Sequence, residues 1–175
     1  QIRAMINGNE TLEMMAKAFN APVVLDAGMR EGTFRATTHA LGIPTLVYEA
    51  GEALRFDEIS IRAGVAGVLN ILSHLEMTRK RTRRKEHQPF VAKRSQWVRA
   101  SQSGVARSLV ALGDHVSEGD HLAYISDPIG ENESLVKSPA SGIVIGRTRL
   151  PLVHEGEAIF HIATFSKPSG AAESV

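Results

Sequence analysis

The stretch Pro22–Glu52, PVVLDAGMREGTFRATTHALGIPTLVYEAGE, decides the fold class. It begins and ends with short apolar runs, Pro22–Ala27 and Pro44–Glu49, which are typical of buried strands. Between them a helix is predicted to open at Gly32–Thr33 and to stop at Gly42, because a proline follows two residues later. Two strands joined by a short helical crossover favour parallel strands, so we predict an α/β sheet.

Two further helices flank this stretch. Asn9 is a good N-cap for the first of them, and Asn20 closes it. The other begins near Phe56, with Asp57 and Glu58 favourably placed in its first turn. Its apolar stripe continues for about five turns and consists of Ile61, Val65, Val68, Leu69, Leu72 and Leu75.

The composition changes near residue 78. We assign residues 1–78 to the α/β domain, 79–89 to a basic linker, 90–165 to a small all-β barrel and 166–175 to a flexible tail. Gly, Asp, Pro and Ser clusters separate short β-type segments in the barrel region, as expected of a small all-β barrel or sandwich. These segments are Gln96–Ala100, Ala106–Val110, His121–Ile125, Ser134–Lys137, Gly142–Thr148 and Ala158–Thr164.

The overall composition excludes several classes of protein. With 43% apolar and 22% charged residues, the chain is an ordinary globular sequence rather than a disordered or collagen-like one. No stretch approaches the roughly 18 unbroken apolar residues of a membrane helix, so we expect no membrane association. The absence of cysteine excludes disulfides and thiolate zinc sites, and it fits a cytoplasmic location.

The positive charge is concentrated in one short run. Six of the twenty Lys and Arg residues lie in Arg79–Lys85, RKRTRRK, whereas nineteen Asp and Glu balance the total to +1. A nucleic-acid-binding protein spreads its cations over a face and interleaves aromatic residues that stack on bases. We therefore interpret this run as a solvated linker and expect no nucleic-acid partner.

Glu49 is the first candidate for a catalytic residue. It lies at the C-terminal end of an apolar strand and precedes Ala50 and Gly51. In open α/β sheets ligands bind beyond the carboxyl ends of the strands, where a half-desolvated carboxylate suits general-base chemistry. The alternative is a carboxylate that caps the next element or pairs with an arginine.

Arg35 is the second candidate, and it lies in the first turn of the predicted second helix. The free amides and the dipole of a helix N-terminus favour an anion, and a guanidinium can bind a carboxylate with two hydrogen bonds. The alternative is an exposed arginine whose aliphatic part covers apolar surface.

The histidines do not form a recognisable metal motif. Neither HExxH nor HxxxH occurs, although Glu118 and His121 have a ligand-like spacing and His115 lies six residues before His121. All three lie among Gly and Asp residues, where a surface turn is the simpler explanation, so we assign no metal ligand to this chain.

The barrel region resembles the biotinyl/lipoyl carrier module. The resemblance lies in two repeated features. Gly-Asp-His occurs twice within Gly113–Leu122, and the Ser-Gly pair of Ser103-Gly104 occurs again at the end of Ser138–Gly142. That family attaches its cofactor to a lysine at the tip of the central hairpin. The matching stretch here, Ser126–Val136, contains no lysine, so we do not expect a carrier function.

Taken together, these segments resemble the C-terminal portion of the succinylglutamate desuccinylase/aspartoacylase family, relatives of the zinc carboxypeptidases. The resemblance covers nearly the whole chain. It depends on Gln1–Ala4, on GTFRATTHALGIPTLVYEAGE at Gly32–Glu52, on FDEISIRAGVAGVLNIL at Phe56–Leu72, and on GDHVSEGD and SPASGIVIG in the barrel region.

The resemblance implies a zinc-dependent amidohydrolase that removes the acyl group from an N-acylated amino acid. In that family the glutamate matching Glu49 is the general base, and the arginine matching Arg35 binds the carboxylate of the substrate. The family's zinc ligands, a His-x-x-Glu pair and a later histidine, precede the first motif present here. We therefore expect zinc to be bound upstream of this chain, and the chain by itself to be inactive.

Other interpretations stay open. The chain could be a non-catalytic interaction or assembly module built on the β-barrel, or part of a carboxypeptidase acting on peptides. The sequence does not determine the acyl group, the amino acid or the oligomeric state, and a homo-oligomer is compatible with it.

Overall fold

Three helices begin where their N-capping residues predict them. The computed structural model describes residues 2–6, for which only the backbone is considered, together with residues 9–79 and 88–164. The helices are α1 (Glu10–Phe19), α2 (Phe34–Ala40) and α3 (Glu58–His74), and their N-caps are Asn9, Thr33 and Asp57. Each capping side chain accepts hydrogen bonds from amides of the first turn, which otherwise have no intrahelical partner.

The chain divides into two compact units, Gln1–Val91 and Ala92–Val175. Most of the predicted linker, at residues 80–87, and the whole predicted tail lie outside the described residues. Within the described part of the chain, no helix has both the length and the apolar character needed to cross a membrane.

The first unit contains a four-stranded sheet in the order β3-β1-β2-β4. Its strands are β1 (Ile2–Ile6), β2 (Val23–Asp26), β3 (Val47–Ala50) and β4 (Phe90–Ala92). The α/β class is confirmed, but the predicted parallel pairing of the two strands of Pro22–Glu52 is wrong. β1, which was not predicted, lies between them and pairs parallel to β2 and antiparallel to β3.

The physical reason lies in the connection that contains α2. The C-terminal end of β2 pairs with Ile6, and the first residue of β3 pairs with Met5, so β2 ends and β3 begins at the same end of the sheet. The segment between them therefore does not have to cross the length of the sheet, and the handedness rule for parallel crossovers does not apply.

Helices α1 and α3 cover one face of this sheet. A single apolar cluster joins them to β2 and β3, and its members are Leu12, Ala16, Phe19, Ala21 and Val24, with Met15, Leu46, Tyr48 and Ile71 packed against it. α3 approaches this cluster through its small residues, because Gly67 lies against the Phe19 ring and Gly64 against the Tyr48 ring. The predicted apolar stripe of α3 lies elsewhere on the helix and is largely exposed.

The second unit consists of two four-stranded antiparallel sheets, ordered β5-β12-β10-β7 and β11-β6-β8-β9. The strands are β5 (Arg94–Arg99), β6 (Gly104–Ser108), β7 (His115–Val116), β8 (His121–Ser126), β9 (Glu133–Lys137), β10 (Gly142–Arg147), β11 (Leu152–Val153) and β12 (Ala158–Thr164). Their inner faces form one core that includes Leu122, Ile125, Val144 and Ile162.

The predicted barrel is not confirmed, because the described strands form two open sheets packed face to face, which is the sandwich alternative. The hydrogen-bonded ladders end at β5 and β7 in one sheet and at β9 and β11 in the other. β7 and β11 are only two residues long, too short to continue a ladder around a barrel. The β8–β9 hairpin lies where the carrier module would hold its lysine, and its turn at 127–132 has none.

Candidate functional site

Glu49 lies on β3, the edge strand of the described sheet in the first unit. It is half-buried, and its Cα is paired with that of Arg3 on β1. Successive side chains of a strand point to opposite faces. Because Tyr48 packs against Phe19 in the α1/α3 layer, the Glu49 side chain is directed to the other face of the sheet.

A hydrogen-bond network fastens the end of β3 to the start of α3. The Tyr48 hydroxyl donates to the Ser60 carbonyl over 3.0 Å, and the Ser60 hydroxyl donates to the Asp57 carboxylate over 2.9 Å. The second oxygen of Asp57 accepts from the Ile59 amide as the helix cap. Burial raises the pKa of Tyr48, and the negative charge of Asp57 raises it further. This network fixes the backbone directly before Glu49.

The turn after Glu49 is equally constrained. Gly51 has a φ of +76°, in the left-handed region that glycine adopts without strain. A Cβ at this position would lie 3.6 Å from the Asp57 Cβ, so the turn packs against the start of α3. An ion pair of 2.9 Å between Glu52 and Arg55 spans the loop that follows. The backbone on both sides of Glu49 is therefore held by α3.

Arg35 links α2 to the end of β2 by hydrogen bonds. One terminal nitrogen of its guanidinium, Nη2, donates to the carbonyls of Ala27 at 2.9 Å and Gly28 at 2.8 Å. The other, Nη1, is buried and has no hydrogen-bond partner among the described residues. A buried guanidinium nitrogen without a partner is a strong donor for an anion.

A small cavity of about 110 Å³ lies beside Arg35. Its lining combines apolar side chains such as Leu12 and Met29 with the polar groups of Arg35 and His39. Pro44 and Thr45, which precede β3, complete the lining together with Asn9, Gly42 and Ile43. The cavity is therefore at the end of the sheet where β2 ends and β3 begins.

The backbone of Glu49 and the guanidinium of Arg35 lie near opposite ends of β1. In the strand register, the Cα of Glu49 is opposite that of Arg3 near the start of β1, and the Cα of Asp26 is opposite that of Ile6 at its end. The guanidinium of Arg35 lies just beyond Asp26. The two positions differ by three to four residues along the sheet and by two strands across it. This corresponds to about 15 Å between the Glu49 backbone and the Arg35 guanidinium. The Glu49 carboxylate can accept a proton at one end of the sheet, and the Arg35 Nη1 can bind an anion at the other.

The described residues offer no metal centre. No group of three or more His, Asp and Glu side chains in the described part of the chain is arranged to hold a metal ion. His115, Glu118 and His121 are all exposed on the second unit. Zinc therefore does not fit on the described residues of this chain alone.

Sequence reasoning missed two features of the site. The Tyr48–Ser60 hydrogen bond was not foreseen, although a tyrosine directly before the glutamate must face the opposite side of the strand. The contacts of Arg35 with the end of β2 were not foreseen either, since they depend on the path of the chain between Gly28 and Thr33. The apolar residues of β1, in the sequence IRAMI, are a usable sequence signal for a strand.

The likeness of this chain to known proteins lies in its structure. No protein-family model matches this sequence, and no curated protein matches it. Solved structures do match. The succinylglutamate desuccinylase/aspartoacylase from Rhodobacter sphaeroides superposes with a TM-score of 0.78 and 18% identity, covering 97% of this chain and 54% of that one.

Two other solved structures match to a similar degree. The ectoine utilization protein EutE (DoeB) from Ruegeria pomeroyi gives a TM-score of 0.80 at 20% identity, over 94% of this chain and 55% of that one. A succinylglutamate desuccinylase from Silicibacter sp. TM1040 gives 0.74 at 20% identity, over 93% and 52%. The chain thus spans about half the length of the proteins it matches, and over that half it has the fold of the succinylglutamate desuccinylase/aspartoacylase structures.

Proposed function

We propose that this chain is the C-terminal portion of a hydrolase that removes the acyl group from an N-acylated amino acid. The observation that carries the proposal is the position of Glu49. A half-buried carboxylate lies at the end of a strand, held on both sides by α3, in a fold shared with desuccinylase and aspartoacylase structures.

The chemistry proposed for Glu49 is general-base catalysis. Water adds to the amide carbonyl carbon while its proton passes to the Glu49 carboxylate. The carbon–nitrogen bond then breaks, and the same proton passes from Glu49 to the leaving amine. The first products are a carboxylic acid and the free amine of the amino acid. The acid then gives up its remaining proton to the amine, which leaves a carboxylate and an ammonium group, so atoms and charge balance without an oxidant or reductant.

Zinc dependence is part of the proposal, but its ligands are not placed on this chain. The resemblance to the desuccinylase/aspartoacylase family implies zinc ligands upstream of this chain, and the described residues contain no group of three or more His, Asp and Glu side chains arranged to hold a metal ion. It follows that the 175-residue chain alone should neither bind catalytic zinc nor turn over substrate.

Arg35 is proposed as a carboxylate-binding residue through its unpartnered Nη1. The roughly 15 Å between the Glu49 backbone and the Arg35 guanidinium must accommodate the Glu49 side chain, the attacking water and the substrate. A substrate that spans this distance would place its amide carbon near Glu49 and its carboxylate at the Arg35 Nη1. If Arg35 binds no substrate carboxylate, its role is to link α2 to the end of β2 through the carbonyls of Ala27 and Gly28.

The experiment uses the polypeptide of the complete reading frame, assayed on acetylated and succinylated amino acids with its zinc content measured. Glu49→Gln should lower kcat by about 10² to 10⁴ while zinc content stays unchanged. Glu58→Gln, an exposed carboxylate on α3 paired only with Arg62, is the matched control and should leave kcat within about twofold.

Three results would contradict the proposal. Undiminished turnover in Glu49→Gln would exclude it as the base. A complete polypeptide with neither zinc nor turnover would favour the non-catalytic interaction module built on residues 90–165. For Arg35→Ala we expect a raised KM with unchanged kcat. An unchanged KM together with a lower melting temperature would show that Arg35 has only a structural role.

A further inference from the structure

A cavity of about 400 Å³ lies between the two sheets of the second unit. It is lined by Ala106 and Ala123 from one sheet and by Phe160 from the other. Its rim at Leu150 and Pro151 is exposed, so a ligand can enter from solvent. Pockets for small molecules typically enclose about 300–1,000 Å³ and combine an apolar lining with a few polar groups. This cavity has the size of such a pocket.

Small side chains on the inner faces of β6 and β8 leave this space open. Ala106 and Ser108 are two residues apart on β6 and therefore share a face, and the Cα of Ser108 is opposite that of Ala123 on β8. The next inner position on β8 is the fully buried Ile125. Three neighbouring positions with small side chains thus stand where the rest of the core has large aliphatic ones.

A β-bulge in β10 brings Arg147 to the inner face of its sheet. Val144 pairs with Ile162, and Arg147 pairs with Phe160, so three residues along β10 correspond to two along β12. Regular alternation from the buried Val144 would put Arg147 on the outer face. The pairing with Phe160, which like Ile162 belongs to the core, puts it on the inner face instead. β-Bulges that redirect a side chain in this way are common beside functional sites.

The guanidinium of Arg147 has one pair of parallel donors to spare. Its Nη1 donates to the Ser108 hydroxyl at 3.1 Å and to the Val110 carbonyl at 2.8 Å, one bond for each hydrogen of that nitrogen. Among the described residues Arg147 makes no further hydrogen bond or ion pair. The edge formed by Nε and Nη2 therefore matches one carboxylate, which a guanidinium binds with two parallel hydrogen bonds.

The charge of the cavity lining is positive only. Arg149 lines it together with Arg147, and none of the described residues that form the lining is acidic. The unit as a whole is not basic, because residues 92–164 contain seven Lys and Arg against eight Asp and Glu. The lining therefore favours an anion, whereas the apolar surface of Ala123 and Phe160 favours an aliphatic group on the same molecule.

We propose that this cavity binds a small carboxylate that carries an aliphatic chain. The carboxylate accepts two hydrogen bonds from Nε and Nη2 of Arg147, and the chain lies on Ala106, Ala123 and Phe160. All of these residues belong to the second unit, and the proposal does not depend on the hydrolase chemistry.

Calorimetric titration of the 175-residue chain with octanoate tests the carboxylate contact. We expect one octanoate per chain, with an affinity at least about tenfold lower in Arg147→Lys, because lysine keeps the charge but has no bidentate edge. Arg107→Lys is the matched control. Arg107 precedes Ser108 on β6 and so lies on the opposite face, over the Tyr124 ring, and its replacement should leave the affinity within about twofold.

Ala106→Leu tests the apolar part of the site without touching the hydrogen bonds of Arg147. The larger side chain occupies the cavity, so octanoate affinity should fall at least about tenfold while the melting temperature does not fall. Two further probes separate head from chain on the unsubstituted protein. 1-Octanol has the chain without the charge, and inorganic phosphate has charge without a chain; each should bind at least about tenfold more weakly than octanoate.

Failure of octanoate to bind the unsubstituted protein would overturn the proposal, and so would equal octanoate affinity in Arg147→Lys. Octanol binding as tightly as octanoate would reduce the site to an apolar groove, and phosphate binding as tightly would reduce it to a cationic patch; either result overturns the proposed ligand class. If Arg147→Lys does not fold, Ala106→Leu and the two probes decide. None of these measurements involves turnover, so loss of the hydrolase proposal would leave the result standing.

Discussion

Gly67 is the position where one added methyl group should have the largest effect on the first unit. It lies on the buried face of α3, and a Cβ built there would be 2.5 Å from two carbons of the Phe19 ring. Carbon atoms in contact prefer about 3.5–4.0 Å, so the helix or the ring must move by about 1 Å. Phe19 is only 5% exposed and is packed against Tyr48, so its ring has little room to move.

Two opposing effects decide the stability of Gly67→Ala. Replacing a glycine by alanine inside a helix contributes about 1 kcal/mol in favour of folding. Overpacking a tight core costs about 1–3 kcal/mol, and the short distance to a buried ring places this contact at the upper end. We expect a net loss of about 2 kcal/mol, which lowers the melting temperature of a unit of this size by roughly 10 °C.

The two units can be followed separately in one experiment. All three helices of the described residues belong to the first unit, so circular dichroism at 222 nm reports its unfolding. Trp97, the single tryptophan, lies on β5 in the second unit and reports that one by fluorescence. Gly67→Ala should shift the dichroism transition and leave the Trp97 transition unchanged.

The matched control is Ala66→Gly, at the neighbouring exposed position of α3. It should cost about 1 kcal/mol through helix propensity alone. In a Phe19→Leu background the cost of Gly67→Ala should fall, because the smaller side chain leaves room for the added methyl group. A dichroism transition for Gly67→Ala at or above that of the unsubstituted protein would refute the close packing of α3 on Phe19.

Two predictions concern titration and are checked by spectroscopy. Asp57→Asn keeps the helix cap but removes the charge that raises the pKa of Tyr48, so that pKa should fall while burial still holds it above its ordinary value of about 10. Absorbance at 295 nm follows the ionisation of Tyr48. Since the folded pKa is raised, the associated stability is complete below pH about 10 and is lost as pH rises through the folded value. An unchanged Tyr48 titration in the variant would contradict the role of Asp57. In the β8–β9 turn, the amide of Asn132 and several backbone amides lower the pKa of Asp127, so the stability it contributes is present above about pH 4 and lost as pH falls through the lowered folded value. Asp127→Ala should lower the protection of the amides at 129–132 against hydrogen exchange at neutral pH and remove the pH dependence of that protection. Unchanged protection of those amides in the variant would show that the turn holds without the carboxylate.

The local structure of this protein was determined by the sequence itself. Asn9, Thr33 and Asp57 begin the three helices because a short polar side chain satisfies the amides of the first turn wherever the rest of the chain lies. Most of the β-type segments after residue 90 were located for a similar reason, since alternation and turn residues act over a few positions. The position of Glu49 at the end of a strand was also readable, because the apolar run ends there.

Tertiary structure decided what those elements are paired with. The direction of β3 depended on β1, a short strand far away in the sequence, and not on the helix that connects β3 to β2. Likewise, the core-facing side of α3 is the row of small residues that lets Phe19 and Tyr48 approach closely, and the more apolar stripe is left exposed. Periodicity shows that a face is apolar, but which layer covers it depends on the rest of the domain, and for the stripe of α3 the described residues do not supply that layer.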